Sequence, residues 1–483
     1  MAALVLPPLL VGGLAVVARL QPLGAADMLW QIRTGEAVLR NHGRQTADLF
    51  SFPFRGHAIH DHEAAFEAVV AFIHGRGGMT ALWWTALVTL VATTMLAGHV
   101  ARRLTPSAPA RIVGGAVLLS ALAYRSEPRA ELATFLAIAL AHWFRREARG
   151  EPDGGRGDLA RRLAPMLIAA LLAPFHGLVW WTAVVPAAHA LEGMFERGSR
   201  RRIAIDLGVA LGCVLAPELT APGILVLNFR ALRGSAILQH INELRSPFEL
   251  LYHRVAVLPA YSWLIGALGW WGLVRARRRD PDGPILTSDA LLLGLLLVPG
   301  LRWARFALLP VMAAMPWTLA GLAELAAPPL RHRVLSVGLP AIAWLASAVV
   351  MTESYGLLNK TVGFDFDGQP VGAVEYLRKN QPDARLFHSY NYGSYLIYAQ
   401  FPPRGVVIDP RAQTLYPDQY VKRYYDAVTD PKVFEAWAVE LPFDTVLLAQ
   451  RHKGTKPLRD YLDKAPAWRL AFSDSVSLVY TRR

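Results

Sequence analysis

Carboxylates and imidazoles crowd one polar stretch near the start of the chain, between two apolar segments: Asp27, then Arg33 and Glu36, then the run His60-Asp61-His62-Glu63. A carboxylate can take the proton of an attacking hydroxyl or amine, and an imidazole can do the same or hold a metal. Ionisable groups set against lipid-compatible segments mark functional surfaces of membrane proteins. Asp27 opens a segment with a helical pattern as far as Leu39, on which Trp30 suits the lipid-water boundary. It reads either as the cap of that helix or as a carboxylate available for chemistry. Residues 60 to 63 are consecutive, so they cannot all face one ion, and helical ligands prefer positions i and i+4. Their spacing allows His60 with His62 as a two-ligand set for a divalent metal, or Asp61 as a second acid. Asp61 or His62 can equally cap a helix running from Glu63 to His74.

Further groups lie downstream. Pro174-Phe175-His176-Gly177 breaks an apolar run and puts His176 where an interrupted helix can expose its backbone to a polar ligand. Arg302 and Arg305 stand at the start of an apolar segment, and paired guanidinium forks suit a lipid phosphate, although both could simply reach the headgroups. Near the end, Tyr390-Asn391-Tyr392-Gly393-Ser394-Tyr395 and Val407-Ile408-Asp409-Pro410-Arg411 each border an expected strand. Tyr392, Asp409 and Arg411 are therefore candidates for ligand contact, with edge packing of a small domain as the other reading. The sequence contains no phosphate-cradling glycine loop, no nucleotide fingerprint opening a βαβ unit, no His-Glu-x-x-His and no Gly-x-Ser-x-Gly.

The elements that carry these groups follow from composition. With 53% apolar and 18% charged residues over 483 positions, the chain reads as a polytopic α-helical membrane protein. Apolar runs predict about eleven spans: Ala3–Leu20, Thr80–Val100, Ile112–Tyr124, Leu132–Phe144, two either side of the 174–177 break, Ile203–Leu219, Val255–Val274, Ile285–Val298, Phe306–Leu325 and Val334–Met351. Residues 21–79 and 220–254 are long loops. Arginine clusters fall on every second connection, including Arg102-Arg103, Arg145-Arg146, Arg200–Arg202, Arg275–Arg279 and Arg331 with Arg333. That alternation puts those connections and the N-terminus in the cytoplasm, and both long loops and the C-terminal residues outside the cell membrane. The net charge of +13 is concentrated there, since Met351–Arg483 holds 17 Lys and Arg against 15 Asp and Glu. Nucleic acid is thus excluded as a partner. The lone cysteine, Cys213, excludes a disulfide framework.

Residues 1–351 are accordingly expected to form the membrane domain and 352–483 an extracytoplasmic α/β domain. Its strands are expected over Arg385–His388, Gly405–Ile408, Thr445–Ala449 and Val476–Tyr480, and its helices over Tyr416–Val428 and Pro431–Val439.

The layout of the first loop resembles the GT-C superfamily of membrane glycosyltransferases, in particular the bacterial branch that uses polyprenyl-phosphate sugars and includes the aminoarabinose and protein-O-mannosyl transferases. The resemblance rests on Asp27 soon after the first span, Ile32-Arg33-Thr34-Gly35-Glu36, Gly43, the turn Asp48-Leu49-Phe50, and His60 to Glu63 leading into a helix. It extends to Arg125–Glu131 and the His176-Gly177 break. Where the family often has Asp-Glu at the first position, this chain has Asp27-Met28. The resemblance implies an enzyme that moves a sugar from a polyprenyl-phosphate donor to an envelope lipid, glycan or protein. Asp27 would be the base, Asp61 or Glu63 a second acid, and Arg33, His62 and His176 would contact substrate. The run Asn391-Tyr392-Gly393 with Tyr395 is similar to the acceptor-binding segment of oligosaccharyltransferases, without its tryptophans and with Asn391 in place of the acid. An envelope lipid or polysaccharide transporter, and a non-catalytic envelope assembly protein, are the alternative expectations.

Overall fold

In the computed structural model, residues 23–24, 26–104, 127–148, 156–232, 258–279, 286–306 and 362–483 are described, with single positions in between. The main helices are α1 (Asp27–Asn41), α2 (Ala64–Leu104), α3 (Leu132–Ala148), α4 (Arg156–Leu172), α5 (Val184–Phe195) and α6 (Arg200–Leu215). They continue with α7 (Leu258–Arg279), α8 (Leu286–Arg302), α9 (Val371–Asn380), α10 (Asp418–Thr429) and α11 (Pro431–Glu440). The expected spans over Ala3–Leu20, Ile112–Tyr124 and Val334–Met351 fall almost wholly outside the described residues, and that over Phe306–Leu325 is described in part.

Contacts divide the chain into two units. The first contains Met79–Pro222 and Ile241–Gly363 with Met1–Leu23, and the second contains Gly24–Gly78, Gly223–His240 and Phe364–Arg483. Gly24–Gly78, which the sequence places in the first external loop, therefore groups with the C-terminal residues. The change of unit falls inside α2, where Gly77 and Gly78 interrupt the helical backbone. Gly78 takes φ 62°, ψ −155°, a region essentially reserved for glycine.

In the first unit, Phe135 and Ile138 of α3, Val185 and Ala188 of α5, and Leu292, Leu293 and Leu296 of α8 form one buried cluster. The break after α4 is as the sequence predicts, a turn at 173–178 followed by a 3-10 segment, Val179–Ala183. Polarity is arranged inside out. Leu159, Leu163, Leu167 and Leu171 on α4, and Leu207, Leu211 and Leu215 on α6, are exposed. Buried beneath them, Arg162 bridges Asp158 (2.7 Å) and Asp206 (3.4 Å), and Arg145 reaches Asp206 at 2.8 Å. Apolar side chains outward and paired charges inward suit hydrocarbon surroundings. Among the described residues, one helical stretch, Arg200–Thr220, is long and apolar enough to cross a membrane unaided.

The second unit is built on a four-stranded sheet in the order β1-β2-β4-β3, with β1 Leu386–His388, β2 Thr445–Ala449, β3 Trp468–Ser473 and β4 Ser477–Arg482. β1 and β2 are parallel, and the other pairs are antiparallel. The parallel pair requires a crossover, which α10 and α11 supply. Phe387, Tyr424, Phe434, Trp437 and Phe443 close the core beneath it through ring contacts of 5.2 to 6.1 Å. Gly405–Ile408 is not a strand. Val406 makes a single parallel bridge to Ser51, and the next amide, Val407 N–H, donates to His388 Nε2 instead of joining a ladder. Residues of the first loop thus lengthen this domain: Phe52 N–H donates to Val406 O at 3.1 Å and Val406 N–H to Phe50 O at 2.8 Å.

Candidate active site

α1 and the first half of α2 press together along one face of each. Asp27, Gln31 and Gly35 are four residues apart, as are Glu63, Glu67 and Ala71, so each trio forms a stripe. Gln31 Nε2 donates to Glu63 Oε2 at 2.9 Å. One turn on, an added Cβ at Gly35 would lie 2.0 Å from the Glu67 carbonyl oxygen and 2.8 Å from Ala71 Cβ, so only glycine permits this approach. Asp27 is the first residue of α1 and its cap position is Ala26, so the carboxylate sits in the first turn rather than capping the helix by side chain. Asp27 is half-buried and is one of the charges that, with burial, keep the Tyr390 phenol protonated.

Three acids gather at the other stripe. Asp61 accepts backbone N–H bonds from Gln45 (3.1 Å) and Glu63 (3.3 Å); since α2 begins at Ala64, the second is a local turn ahead of the helix and not the cap expected of it. Burial nevertheless raises its pKa. Glu67 is 2% exposed and its pKa is driven well above the usual carboxylate range, first by burial and then by the charges of Asp61 and Glu63. Of the three acids Glu67 is thus the one whose neutral form is most favoured. His62 Nε2 lies 3.5 Å from Glu63 Oε1. Burial works against its charged form, but the Glu63 carboxylate outweighs that and its pKa is raised. Glu67 Oε2, Gln45 Nε2 and Trp30 Nε1 are buried without a hydrogen-bond partner among the described residues. Native interiors seldom leave such atoms unmet away from ligand sites.

Beside these acids stands a second cluster with the opposite character. Arg411 grips Asp409 with Nε to Oδ1 at 2.8 Å and Nη2 to Oδ2 at 2.7 Å, and reaches Asp48 Oδ1 through Nη1 at 2.6 Å. Tyr416 donates to Asp409 Oδ2 at 2.8 Å, and Asp48 also takes the Ser51 N–H at 2.8 Å. Burial would raise Asp409, but the Arg411 guanidinium prevails and holds its pKa low. Asp409 and Arg411 are thus spent on each other and on Asp48, joining the first loop to the sheet domain. Next to them, His388 is wholly buried. Its Nε2 accepts from Val407 and its Nδ1 faces Ser389 O at 3.0 Å, a neutral imidazole whose pKa burial lowers to about 4.

The other expected site residues are dispersed. Arg33 is half-buried, donates to Tyr398 O at 2.9 Å and pairs with Glu36 at 2.7 Å. Tyr392 is buried and donates to Val476 O. His60 packs its ring on Gly223 while His62 turns towards Glu63, so the two imidazoles have different neighbours. Among the described residues, no three His, Cys, Asp or Glu side chains are placed to hold one metal ion. In the first unit, His176 Nδ1 lies 2.7 Å from Thr134 Oγ1. Arg302 is exposed and stacks over Trp303. Arg305 belongs to the short turn Ala304–Phe306, and its side chain is outside the described ones. Glu67, Gln31 and Asp48 escaped the sequence reading as site residues. The i, i+4 spacing of Glu63 and Glu67 could have revealed the first, whereas nothing local links Asp48 to a residue 363 positions away.

Neither a protein-family model nor a curated protein matches the chain. Solved structures do. The Archaeoglobus fulgidus oligosaccharyltransferase, tethered to an acceptor peptide containing the NVT sequon, aligns with a TM-score of 0.63 at 11% identity, over 100% of this chain and 74% of that one. ArnT from Cupriavidus metallidurans, bound to undecaprenyl phosphate, aligns with a TM-score of 0.53 at 13% identity, over 99% and 97%. The chain has a GT-C fold. That is a polytopic membrane fold with a C-terminal domain, as the sequence implies. A further structure of the same oligosaccharyltransferase, a complex with Zn and sulfate, aligns with a TM-score of 0.61 at 13% identity, over 98% and 73%. Asp27 and the acids at 61, 63 and 67 belong to the stretch between the first two expected spans.

Proposed function

We propose that the protein is a membrane glycosyltransferase that moves a sugar from a polyprenyl-phosphate carrier to an acceptor of the cell envelope on the extracytoplasmic side. The fold supports transfer of this general kind, since its neighbours include an oligosaccharyltransferase and a transferase bound to undecaprenyl phosphate. The observation that carries the reading further is the acid face shared by α1 and α2, with its unmet buried polar atoms.

In this reading the acceptor hydroxyl or amine attacks the anomeric carbon, the bond from that carbon to the carrier phosphate breaks, and the electron pair leaves with the phosphate. Asp27 takes the acceptor's proton. Asp61, beside the buried Glu67, is the second acid, and Glu63 is held by Gln31 and His62 where it can orient the acceptor. Arg302 and Arg305 carry the phosphate-holding role on chemical grounds, as guanidinium groups fork onto phosphate oxygens. The test is purified protein in lipid nanodiscs with a panel of polyprenyl-phosphate sugars and mass spectrometry of the products. Transfer by the wild type and its collapse in Asp27→Asn uphold the reading. Full transfer by Asp27→Asn removes Asp27 as base, and inactivity of the wild type across the panel counts against the donor class.

A further inference from the structure

Among residues given no catalytic role, the second unit contains a cleft of about 500 Å³. Phe52 and Arg55 from the first loop, Arg385 ahead of β1, Arg404 in the turn before Gly405, and Leu441 and Phe443 after α11 line it. None of its ten lining residues is acidic. All three arginines are exposed, and none has an ion-pair partner among the described residues. Asp444 stands next to the cleft, but its Oδ1 is occupied by the Arg385 N–H (2.9 Å) and the Thr445 hydroxyl (2.8 Å). Arg55 is positioned, with Nη2 donating to Arg404 O at 3.0 Å and reaching Pro403 O at 3.4 Å, so one guanidinium is fixed across the turn. Phe52 meets Phe443 edge-on at 6.1 Å and supplies an apolar, aromatic wall.

Three cations around a concave space with a single acid at its edge repel one another, and an oxyanion reduces that repulsion while accepting their forked hydrogen bonds. A bare ion would use the cations and leave the aromatic wall idle. A sugar ring bearing a phosphate or carboxylate uses both, and the volume is within the usual range for small-ligand pockets. We infer that this cleft is a binding site for an anionic saccharide, distinct from the acid face of α1 and α2. It holds a charged sugar of the envelope glycan or glycolipid by its oxyanion, independently of the transfer reaction.

The experiment uses the full chain in nanodiscs of zwitterionic lipid and saturation-transfer NMR. The probes are glucose 1-phosphate, glucuronate, neutral glucose and inorganic phosphate, with a parallel arm in nanodiscs containing phosphatidylglycerol. Binding of glucose 1-phosphate or glucuronate is expected, with neutral glucose undetected and inorganic phosphate weaker than the sugar phosphate. Because Arg385 and Arg404 are exposed, Arg385→Gln/Arg404→Gln is expected to keep the wild-type melting profile while losing about tenfold or more in affinity, as befits lost charge-assisted bonds. Phe52→Ala should weaken the two sugars and leave inorganic phosphate unchanged. Equal affinity in the double variant, inorganic phosphate binding as tightly as the sugar phosphate, or engagement only with the anionic lipid would each overturn the inference. Retained sugar binding in an Asp27→Asn protein that no longer transfers separates this site from the proposed active site.

Discussion

Two clusters of buried charge lie close together in the second unit, and they obey opposite rules. Asp48, Asp409 and Arg411 are saturated: every close acid oxygen has a guanidinium, a phenol or a backbone N–H. Asp61, Glu63 and Glu67 are acid-rich, with burial and the neighbouring charges raising the Glu67 pKa and one of its oxygens unmet among the described residues. Both include residues of the first loop, so burial alone does not separate them. Saturated clusters hold structure together, whereas under-paired ones cost stability and persist where chemistry uses them. Arg411 links the two, because its charge also lowers the energy of an ionised Glu67.

The comparison can be broken most severely at its paired end. Arg411→Met strands two buried carboxylates, and such a loss costs about 3–5 kcal/mol. Chemical unfolding followed by the fluorescence of the C-terminal aromatic core should show the unit falling apart, and a near-wild-type midpoint would mean the pairs are not the brace. Acid comes next. Folded His388 resists protonation down to about pH 4, while an unfolded histidine takes its proton near 6.5. The stability this provides is complete above pH 6.5 and is lost as pH falls from there towards 4, on the order of 3 kcal/mol in all. His388→Asn should flatten that part of an unfolding profile measured against pH.

Smaller effects test the acid-rich end. Gly35→Ala forces α1 away from the Glu67 carbonyl and should destabilise by roughly 1–3 kcal/mol, as overpacking does, while reducing transfer more than stability. Glu67→Gln should move the other way. Its folded pKa is raised, so the wild-type carboxyl disfavours folding increasingly as pH climbs above 4.5, and an amide removes that penalty. Differential scanning at neutral pH should show a melting temperature equal to or above wild type. As the control, Lys422→Ala removes an exposed pair at 3.0 Å and should change stability by less than about 0.5 kcal/mol.

Much of this was legible beforehand, for reasons specific to each element. Apolar periodicity and the Asp-to-Leu39 pattern located α1 to within two residues at its end, and β2 falls on the expected Thr445–Ala449. α9 and β3 went unnoticed because polar residues such as Glu375, Arg378 and Arg469 interrupt their patterns where they face solvent. The site divides in the same way. Asp27, Asp61 and Glu63 are visible as types in a loop. The choice between a paired and an unpaired acid depends on partners hundreds of residues away: Asp409 and Arg411 seemed free for ligand until Asp48 met them. Asp61 shows how close the two readings lie, since it binds the amide just ahead of α2 without capping the helix and belongs to the cluster.

In the proposed function the crowded acids at the α1/α2 face serve transfer of a sugar. Its most direct test is the rate of sugar transfer from a polyprenyl-phosphate donor by Glu67→Gln, at a folded fraction matched to wild type. The account predicts a protein at least as stable as wild type whose transfer falls about a hundredfold or more, the scale of a lost acid/base contribution. Wild-type transfer rates in a stable Glu67→Gln protein would contradict it.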